Sequence, residues 1–243
     1  MTRLTARLEI SYDGSAFSGW AVQPGRRTVQ AELERALELV GGRRIALTVA
    51  GRTDAGVHAL SQVASHVGEP VGAGAVNANL PRDVRILTSE VAPEGFDARA
   101  DARSRRYRYR ITNARVQSPF EVGRALHWRW PLDRELLERC AELAIGTHDF
   151  TAFTRTQTRH VHFRREVLDA VWSADPGSSD LTFEIEADSF LRNMVRTLVG
   201  TMIAVGQGRM AIDHYQALLD GRPRCEAGDT AAAHGLYLVG VRY

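Results

Sequence analysis

The sequence has few cysteines, no lysine and no long apolar run. Cys140 falls in a helical pattern and Cys225 in a polar stretch. Neither belongs to a CxxC pair, so we expect neither a structural zinc site nor a redox dithiol. No apolar run approaches the roughly 18–20 residues that a membrane-spanning helix requires. The first residues lack the apolar core of a signal peptide, so we expect the protein to stay in the cytoplasm.

Several motifs of nucleotide-dependent and metal-dependent enzymes are also missing. The sequence contains neither the GxxxxGK[S/T] phosphate loop nor the HExxH zinc motif. Gly206-Gln207-Gly208 follows a helical pattern, whereas a dinucleotide-binding turn joins a strand to a helix. There is no nucleophile elbow, although a Ser-His-Asp triad assembled from distant residues stays open. We therefore expect no nucleotide, flavin or metal site.

The basic side chains other than histidine are all arginine, 31 in number, and the formal net charge is +2. Arginine binds phosphate through paired hydrogen bonds and stacks on bases, which suits a nucleic-acid partner. A preference for arginine over lysine can equally follow from codon usage. Only local clusters of arginine therefore argue for a partner.

Apolar periodicity predicts an α+β protein in two halves, residues 1–103 and 104–243. Strands and helices are mixed in both, which favours antiparallel sheets with helices on one face. Thr28 and Asp133 are the expected N-caps of two helices, and a turn is expected at 175–177. Strands are predicted at 8–12, 45–50, 62–67, 84–91, 107–111, 167–172, 181–185 and 236–241, and helices at 29–40, 73–79, 133–146, 190–205 and 212–219.

The first candidate site is the predicted loop Gly51-Arg52-Thr53-Asp54-Ala55-Gly56. Glycine permits backbone conformations that hold a side chain away from the sheet and lets another backbone come close. An aspartate is ionised at neutral pH without an activating base, which suits a nucleophile that attacks carbon. Judged by spacing alone, an ordinary turn is the commoner explanation of the same residues.

The second is the predicted strand Arg105-Arg106-Tyr107-Arg108-Tyr109-Arg110. Alternation along a strand places the two tyrosines on one face and arginines 106, 108 and 110 on the other. One face could then stack on a base while the other binds phosphate. Tyrosines packed in a core with arginines in solvent explain the pattern equally well.

A third candidate is Arg196, which lies in the apolar helix predicted at 190–205. An arginine that is partly buried requires an anionic partner, and Asp54 is one choice among several that the sequence leaves open. The basic stretch 155–165 could contact RNA, although a solvated loop is the commoner explanation.

Taken in order, these residues resemble the tRNA pseudouridine synthase I family over nearly the whole chain. Several motifs that occur in the same order as in the family are far more specific than any single motif. They favour a functional role for Asp54 over an ordinary turn. The chain departs from the family at Ala21, where Gln is usual, and at Ala232, where Pro is usual. The similar segments are Tyr12-Asp13-Gly14 with Phe17 and Gly19-Trp20, Thr28-Val29-Gln30, 50–59, Asn77-Ala78-Asn79-Leu80-Pro81, 105–109, 190–196 and Gly235-Leu236-Tyr237-Leu238.

The resemblance implies two ferredoxin-like (RRM-like) halves that form a shared antiparallel sheet, with helices on one face and a central basic cleft. It implies a homodimer that binds tRNA and isomerises uridine to pseudouridine in the anticodon stem-loop, at tRNA positions 38, 39 and 40. It implies no cofactor.

The resemblance also assigns roles. Asp54 is the nucleophile, although attack on the sugar, attack on the base and removal of a sugar proton stay open. Tyr107 stacks on the flipped uracil and relays a proton, and Arg196 pairs with Asp54. Arg52 holds the vacated space or the RNA backbone, and Arg105 and Arg106 bind substrate.

Two other functions stay open. A non-catalytic RNA-binding module explains the Arg-Tyr strand but not the loop around Asp54. A carboxylate-based hydrolase of nucleosides or sugars explains Asp54, but such enzymes usually use a second carboxylate, and none lies on the same loop.

Overall fold

The computed structural model describes residues 4–157, 161–174 and 177–243. Within these ranges, no helix is long and apolar enough to cross a membrane. The strands are β1 (Thr5–Tyr12), β2 (Thr48–Val49), β3 (His58–Val67), β4 (Val84–Val91), β5 (Ser104–Thr112), β6 (Leu126–His127), β7 (Gly146–Asp149), β8 (Arg164–Ser173), β9 (Asp180–Ala187) and β10 (Leu236–Arg242). The helices are α1 (Val29–Gly41), α2 (Ala73–Asn79), α3 (Arg134–Ala144), α4 (Met194–Gly206) and α5 (Ile212–Leu218).

The chain divides into two compact units. The first unit comprises Met1–Arg103 and Tyr237–Tyr243, and the second comprises Ser104–Leu236. The end of the chain returns to the first unit because β10 pairs in parallel with β3, with Tyr237 opposite His58. The predicted C-terminal half, 104–243, differs from the second unit by this returning segment.

In the first unit, β1 is the central strand and pairs antiparallel with both β3 and β4. Helix α1 buries an apolar stripe made of Val29, Leu33, Ala36 and Leu37, which the periodicity predicted. Thr28 occupies the N-cap position and Gly42 ends the helix in the left-handed region at φ 65°. The predicted boundaries of α1 are therefore confirmed to within one residue.

In the second unit, β9 pairs antiparallel with β5 and β8, and β8 pairs antiparallel with β7. Helix α3 begins after Asp133, whose carboxylate accepts a hydrogen bond from the backbone N–H of Leu136 at 3.1 Å. Helix α4 is buried on nearly every side. The fold is thus a mixture of helices and mostly antiparallel sheet, as the sequence predicted.

Several predicted elements differ from the structure at their ends; the strand predicted at 62–67, for example, begins at His58. The strand predicted at 45–50 is reduced to β2, because the N–H of Leu47 donates to the carboxylate of Glu34 at 2.9 Å instead of joining the sheet. The helix predicted at 190–205 starts only at Met194, because Asn193 adopts a left-handed φ of 64°. The short strands β6 and β7 were not predicted. Of the turn expected at 175–177, residues 175 and 176 lie outside the described part of the chain.

Candidate active site

Asp54 lies on the loop between β2 and β3, and the backbone of this loop is fixed on both sides of the carboxylate. The N–H of Trp20 donates to the carbonyl of Thr53 at 3.1 Å. The N–H of Val57 donates to the carbonyl of Asp54 itself at 3.2 Å, which closes a turn. Gly56 adopts a φ of 78° in that turn, the conformation that glycine was expected to permit here. The Asp54 side chain is half-buried.

Two glycines allow the segment after β1 to lie directly against this loop. A Cβ on Gly14 would stand 2.5 Å from the carbonyl carbon of Val57 and still closer to its oxygen. A Cβ on Gly19 would stand 2.9 Å from the carbonyl oxygen of Thr53, and Gly19 also has a φ of 96°. Neither position accepts a larger side chain without a shift of the backbone. Both glycines therefore help to fix the position of the loop that carries Asp54.

His58 supports the same segment from β3. It is 1% exposed, and its ring stacks on that of Tyr237 with centroids 4.6 Å apart. Its Nδ1 accepts a hydrogen bond from the N–H of Gly14 at 3.1 Å, while a carboxylate oxygen of Asp13 lies 3.2 Å from the same nitrogen. One nitrogen cannot accept from Gly14 and donate to Asp13 at once. The backbone donor has a fixed hydrogen, so we assign Nδ1 as the acceptor.

An ion pair stabilises the segment between β1 and α1. Both terminal nitrogens of Arg27 donate to the carboxylate of Asp83, at 2.7 and 2.8 Å. These hydrogen bonds hold the pKa of Asp83 below its usual value. The guanidinium also lies 4.1 Å from the ring centroid of Phe17, whose carbonyl accepts from the N–H of Gly56 at 3.4 Å. Arg27 therefore links Asp83, just before β4, to the segment that contacts the Asp54 loop.

In the second unit, the two tyrosines of β5 lie on one face of the strand, as alternation predicted, and that face is buried. Tyr107 is 8% exposed and meets the ring of Phe190 edge-to-face, with centroids 5.0 Å apart. Tyr109 is fully buried, and its hydroxyl donates to the carbonyl of Ala232 at 2.8 Å. Burial raises the pKa of Tyr109, and the charge of Arg196 partly opposes that rise. Tyr109 is thus a core residue, whereas Tyr107 lies nearer the surface.

Arg196 is half-buried in α4, in agreement with the prediction that it is partly enclosed. Its Nε donates to the carbonyl of Ala231 at 2.7 Å, and the N–H of Ala231 donates back to the Arg196 carbonyl at 3.1 Å. Gly200 lets the same segment approach, because a Cβ there would stand 2.9 Å from the carbonyl carbon of Asp229. The guanidinium is therefore oriented by the loop that precedes β10.

Carboxylates hold the arginines on the opposite face of β5. Arg106 donates to Glu186 at 2.8 Å, and it also lies 3.4 Å from Asp169 and 3.5 Å from Glu184. Arg108 pairs with Glu184 at 2.7 Å. The arginines of this face therefore belong to a cross-strand ion-pair network.

The other arginines predicted to bind substrate have different surroundings. Arg52, beside Asp54, is exposed. Arg105 is half-buried and donates to the carbonyl of Asp188 at 2.9 Å. In the basic stretch 155–165, residues 158–160 lie outside the described part of the chain.

Comparison with known sequences identifies the family. A sequence model described as tRNA pseudouridine synthase matches residues 10–99 and 140–243. The chain belongs to the tRNA pseudouridine synthase family. Asp54 lies in the first matched range and Arg196 in the second, while Tyr107 lies between them.

Full-length relatives in the family cover the region around Tyr107 as well. The tRNA pseudouridine synthase A of Frankia casuarinae is 45% identical and spans 98% of this chain and 88% of its own length. The enzyme of the same name from Rhodopseudomonas palustris is 40% identical over 98% of both chains. That of Bacillus pumilus is 38% identical over 99% of both.

Several residues around the family's aspartate loop received no role from the sequence. Gly14 belongs to a motif of the family resemblance, but its backbone contact with the loop was not predicted. His58 likewise lay inside a recognised motif without an assigned contact. In the second unit the same holds for Phe190, which packs on Tyr107. A glycine or histidine inside a motif was the available signal, but the partners are far away in sequence and only the fold reveals them.

Proposed function

We propose that this protein isomerises uridine to pseudouridine in tRNA, with Asp54 as the nucleophile. One observation carries the proposal: the aspartate of the family's most specific motif lies on a loop whose backbone is fixed by hydrogen bonds and glycine contacts on both sides. A nucleophile must be held within a fraction of an ångström of its productive position. The hydrogen bonds and glycine contacts of the Asp54 loop support such positioning.

The reaction explains why a carboxylate can suffice. The N1–C1′ glycosidic bond of uridine breaks, the base turns, and a C5–C1′ bond forms. The hydrogen on C5 leaves as a proton and N1 ends protonated, so product and substrate have the same composition. The target base must first leave its stack, which costs a few kcal/mol. Asp54 attacks the sugar or the base ring, or removes a sugar proton.

Tyr107 and Arg196 are proposed to act with Asp54. Tyr107 is 8% exposed on the buried face of β5, and an aromatic ring can stack on a flipped uracil. Arg196 is half-buried and its Nε donates to the carbonyl of Ala231, and a guanidinium can hold a carboxylate such as that of Asp54 through charged hydrogen bonds. The resemblance to the family, together with this chemistry, supports the pairing.

Contacts with RNA are proposed for Arg52, Arg105 and Arg106. Exposure of Arg52 next to Asp54 suits insertion into the space that the flipped base leaves. Arg106 would have to bind RNA while it remains paired with Glu186, so its contribution to affinity should be the smaller one.

The finer features are proposed from the family resemblance. They are two ferredoxin-like halves with a shared sheet and a basic cleft, a homodimer, action in the cytoplasm, and substrate uridines at positions 38, 39 and 40 of the anticodon stem-loop. Transcripts that keep only one of these uridines would show which positions react.

The test is release of tritium from tRNA labelled at uracil C5, with EDTA present and no cofactor added. Formation of the C5–C1′ bond must expel this hydrogen. We expect release by the wild-type protein and none by Asp54→Asn, which keeps the size of the side chain but removes its charge. A variant that still binds tRNA would show that only the chemistry is lost.

Other outcomes would overturn the proposal. Unchanged release by Asp54→Asn would exclude this carboxylate as the nucleophile. Binding of tRNA without release by the folded wild type would favour a non-catalytic RNA-binding module. Free uracil among the products would favour a hydrolase.

A further inference from the structure

Three buried polar side chains form a hydrogen-bonded chain beneath the Asp54 loop. Tyr12 is 4% exposed, Thr53 is 7% exposed and Gln62 is fully buried. The hydroxyl of Tyr12 lies 2.8 Å from that of Thr53, and the amide nitrogen of Gln62 lies 3.4 Å from the Tyr12 oxygen. The same amide nitrogen donates to the carbonyl of Gly51 at 2.7 Å. The chain therefore contacts the loop at two points, immediately before Asp54 and three residues before it.

The hydrogen bonds in this chain have one consistent direction. The Gln62 carbonyl oxygen accepts from the N–H of Val63 at 3.2 Å, which directs the amide NH₂ group toward Tyr12 and Gly51. The Tyr12 oxygen thus accepts from Gln62 and donates its own hydrogen to Thr53. This direction also leaves no buried hydroxyl hydrogen of Tyr12 without an acceptor. Burial raises the pKa of Tyr12 to about 12, so the phenol keeps that hydrogen at neutral pH.

An irregularity in the sheet aims Tyr12 at the loop. Ile10 lies opposite Gln62, but Tyr12 lies opposite Ala59, one residue out of regular register. Bulges of this kind occur near active sites, where they redirect a side chain. The hydroxyl of Ser11, between them, donates to the carbonyl of Ala59 at 3.1 Å and holds the shifted register.

We infer that Tyr12, Thr53 and Gln62 are positioning residues for the reaction: their hydrogen-bonded chain fixes the loop backbone so that the Asp54 carboxylate stands at its reactive position. The inference rests on the proposed role of Asp54. Three polar side chains in an apolar interior are costly unless each is satisfied. Two of these hydrogen bonds end on the loop and set its position relative to β1 and β3.

The test uses two substitutions that remove one oxygen each. Tyr12→Phe keeps the ring, which packs 6.0 Å from Trp20, and Thr53→Val keeps the shape of threonine. We expect each to lower the single-turnover rate of tritium release at saturating enzyme by about tenfold or more, since small displacements of a reactive group have large effects. The dissociation constant for tRNA should stay within about twofold, because neither side chain is accessible to RNA.

Two comparisons separate positioning from general stability. The double variant should be no slower than the slower single variant, because both substitutions break the same chain. Thr53→Ser restores the hydroxyl and should restore most of the rate. Tyr243→Phe is the matched control. It removes a hydroxyl that donates to the Ala98 carbonyl at 2.9 Å in the same unit, and it should lower the thermal midpoint without slowing release.

The outcomes distinguish this inference from the proposed function. Wild-type rates for Tyr12→Phe and Thr53→Val, with Asp54→Asn inactive, would show that the chain has only a structural role. An equal loss of rate in Tyr243→Phe would overturn the inference as well. Unchanged release by Asp54→Asn would instead refute the proposed nucleophile itself.

Discussion

Substitution of Gly14 by alanine should impair catalysis through backbone contact alone. Gly14 lies outside the left-handed region, so alanine adds no conformational strain there. Its Cβ would, however, stand 2.5 Å from the carbonyl carbon of Val57, whereas ordinary van der Waals contact begins at 3.4 Å. The atoms in the way are backbone, and no flexible side chain can yield. The Val57 segment would have to move by about 1 Å, a typical consequence of overpacking.

The expected magnitudes follow from that displacement. Overpacking of a rigid interior destabilises a protein by about 1–3 kcal/mol. Val57 closes the turn with Asp54 through its N–H, so the carboxylate moves with it. A misplacement of about 1 Å costs on the order of a hundredfold in rate. Single-turnover tritium release and urea unfolding would measure the two effects separately.

The control for Gly14→Ala is Gly74→Ala in α2. A Cβ on Gly74 meets nothing within 4 Å, and the residue is exposed. Alanine should stabilise this helix by about 0.5–1 kcal/mol without changing the rate. Release of tritium by Gly14→Ala at the wild-type rate, or an equal loss of activity in both variants, would contradict this steric role of Gly14.

Two further predictions concern charge. Arg27 lowers the pKa of Asp83, so this pair contributes stability above the ordinary aspartate pKa, and that stability is lost as the pH falls through the lowered value. Asp83→Asn should have a free energy of unfolding about 0.5–1 kcal/mol lower at pH 7, a small value because the pair is partly exposed. In urea unfolding, the stability of Asp83→Asn should fall less steeply than that of the wild type below about pH 4. A loss of stability below about pH 4 that is as steep in Asp83→Asn as in the wild type would refute this. Arg52→Ala should reduce the salt dependence of tRNA binding by about one phosphate contact without loss of stability. Arg106→Ala should also destabilise the protein by about 1–3 kcal/mol, because it removes the ion pair of buried Glu186 with Arg106. Equal stabilities for the two variants would contradict the role given to the ion pair.

The sequence predicted the elements whose periodicity is carried by neighbouring residues. Helix α1, with its buried stripe from Val29 to Leu37 and its glycine stop, needed no information from elsewhere in the chain. The predicted start of α4 was wrong because of the backbone conformation of one residue. Asn193 takes a left-handed conformation, which interrupts an apolar pattern that otherwise continues from Phe190. Periodicity cannot report the φ of a single residue.

The residues proposed to react and the residues that support them differ in how they can be found. Asp54 is conspicuous because its loop is a contiguous motif, and the resemblance to the family rests on such motifs. Tyr12 lies 41 residues before Thr53, and Gln62 lies 50 residues after Tyr12. No spacing rule connects residues so far apart. Their hydrogen bonds depend on the pairing of β1 with β3, whose register shifts by one residue between Ile10 and Tyr12. The support of the loop is therefore a property of strand register, which the sequence specifies only through the whole first unit.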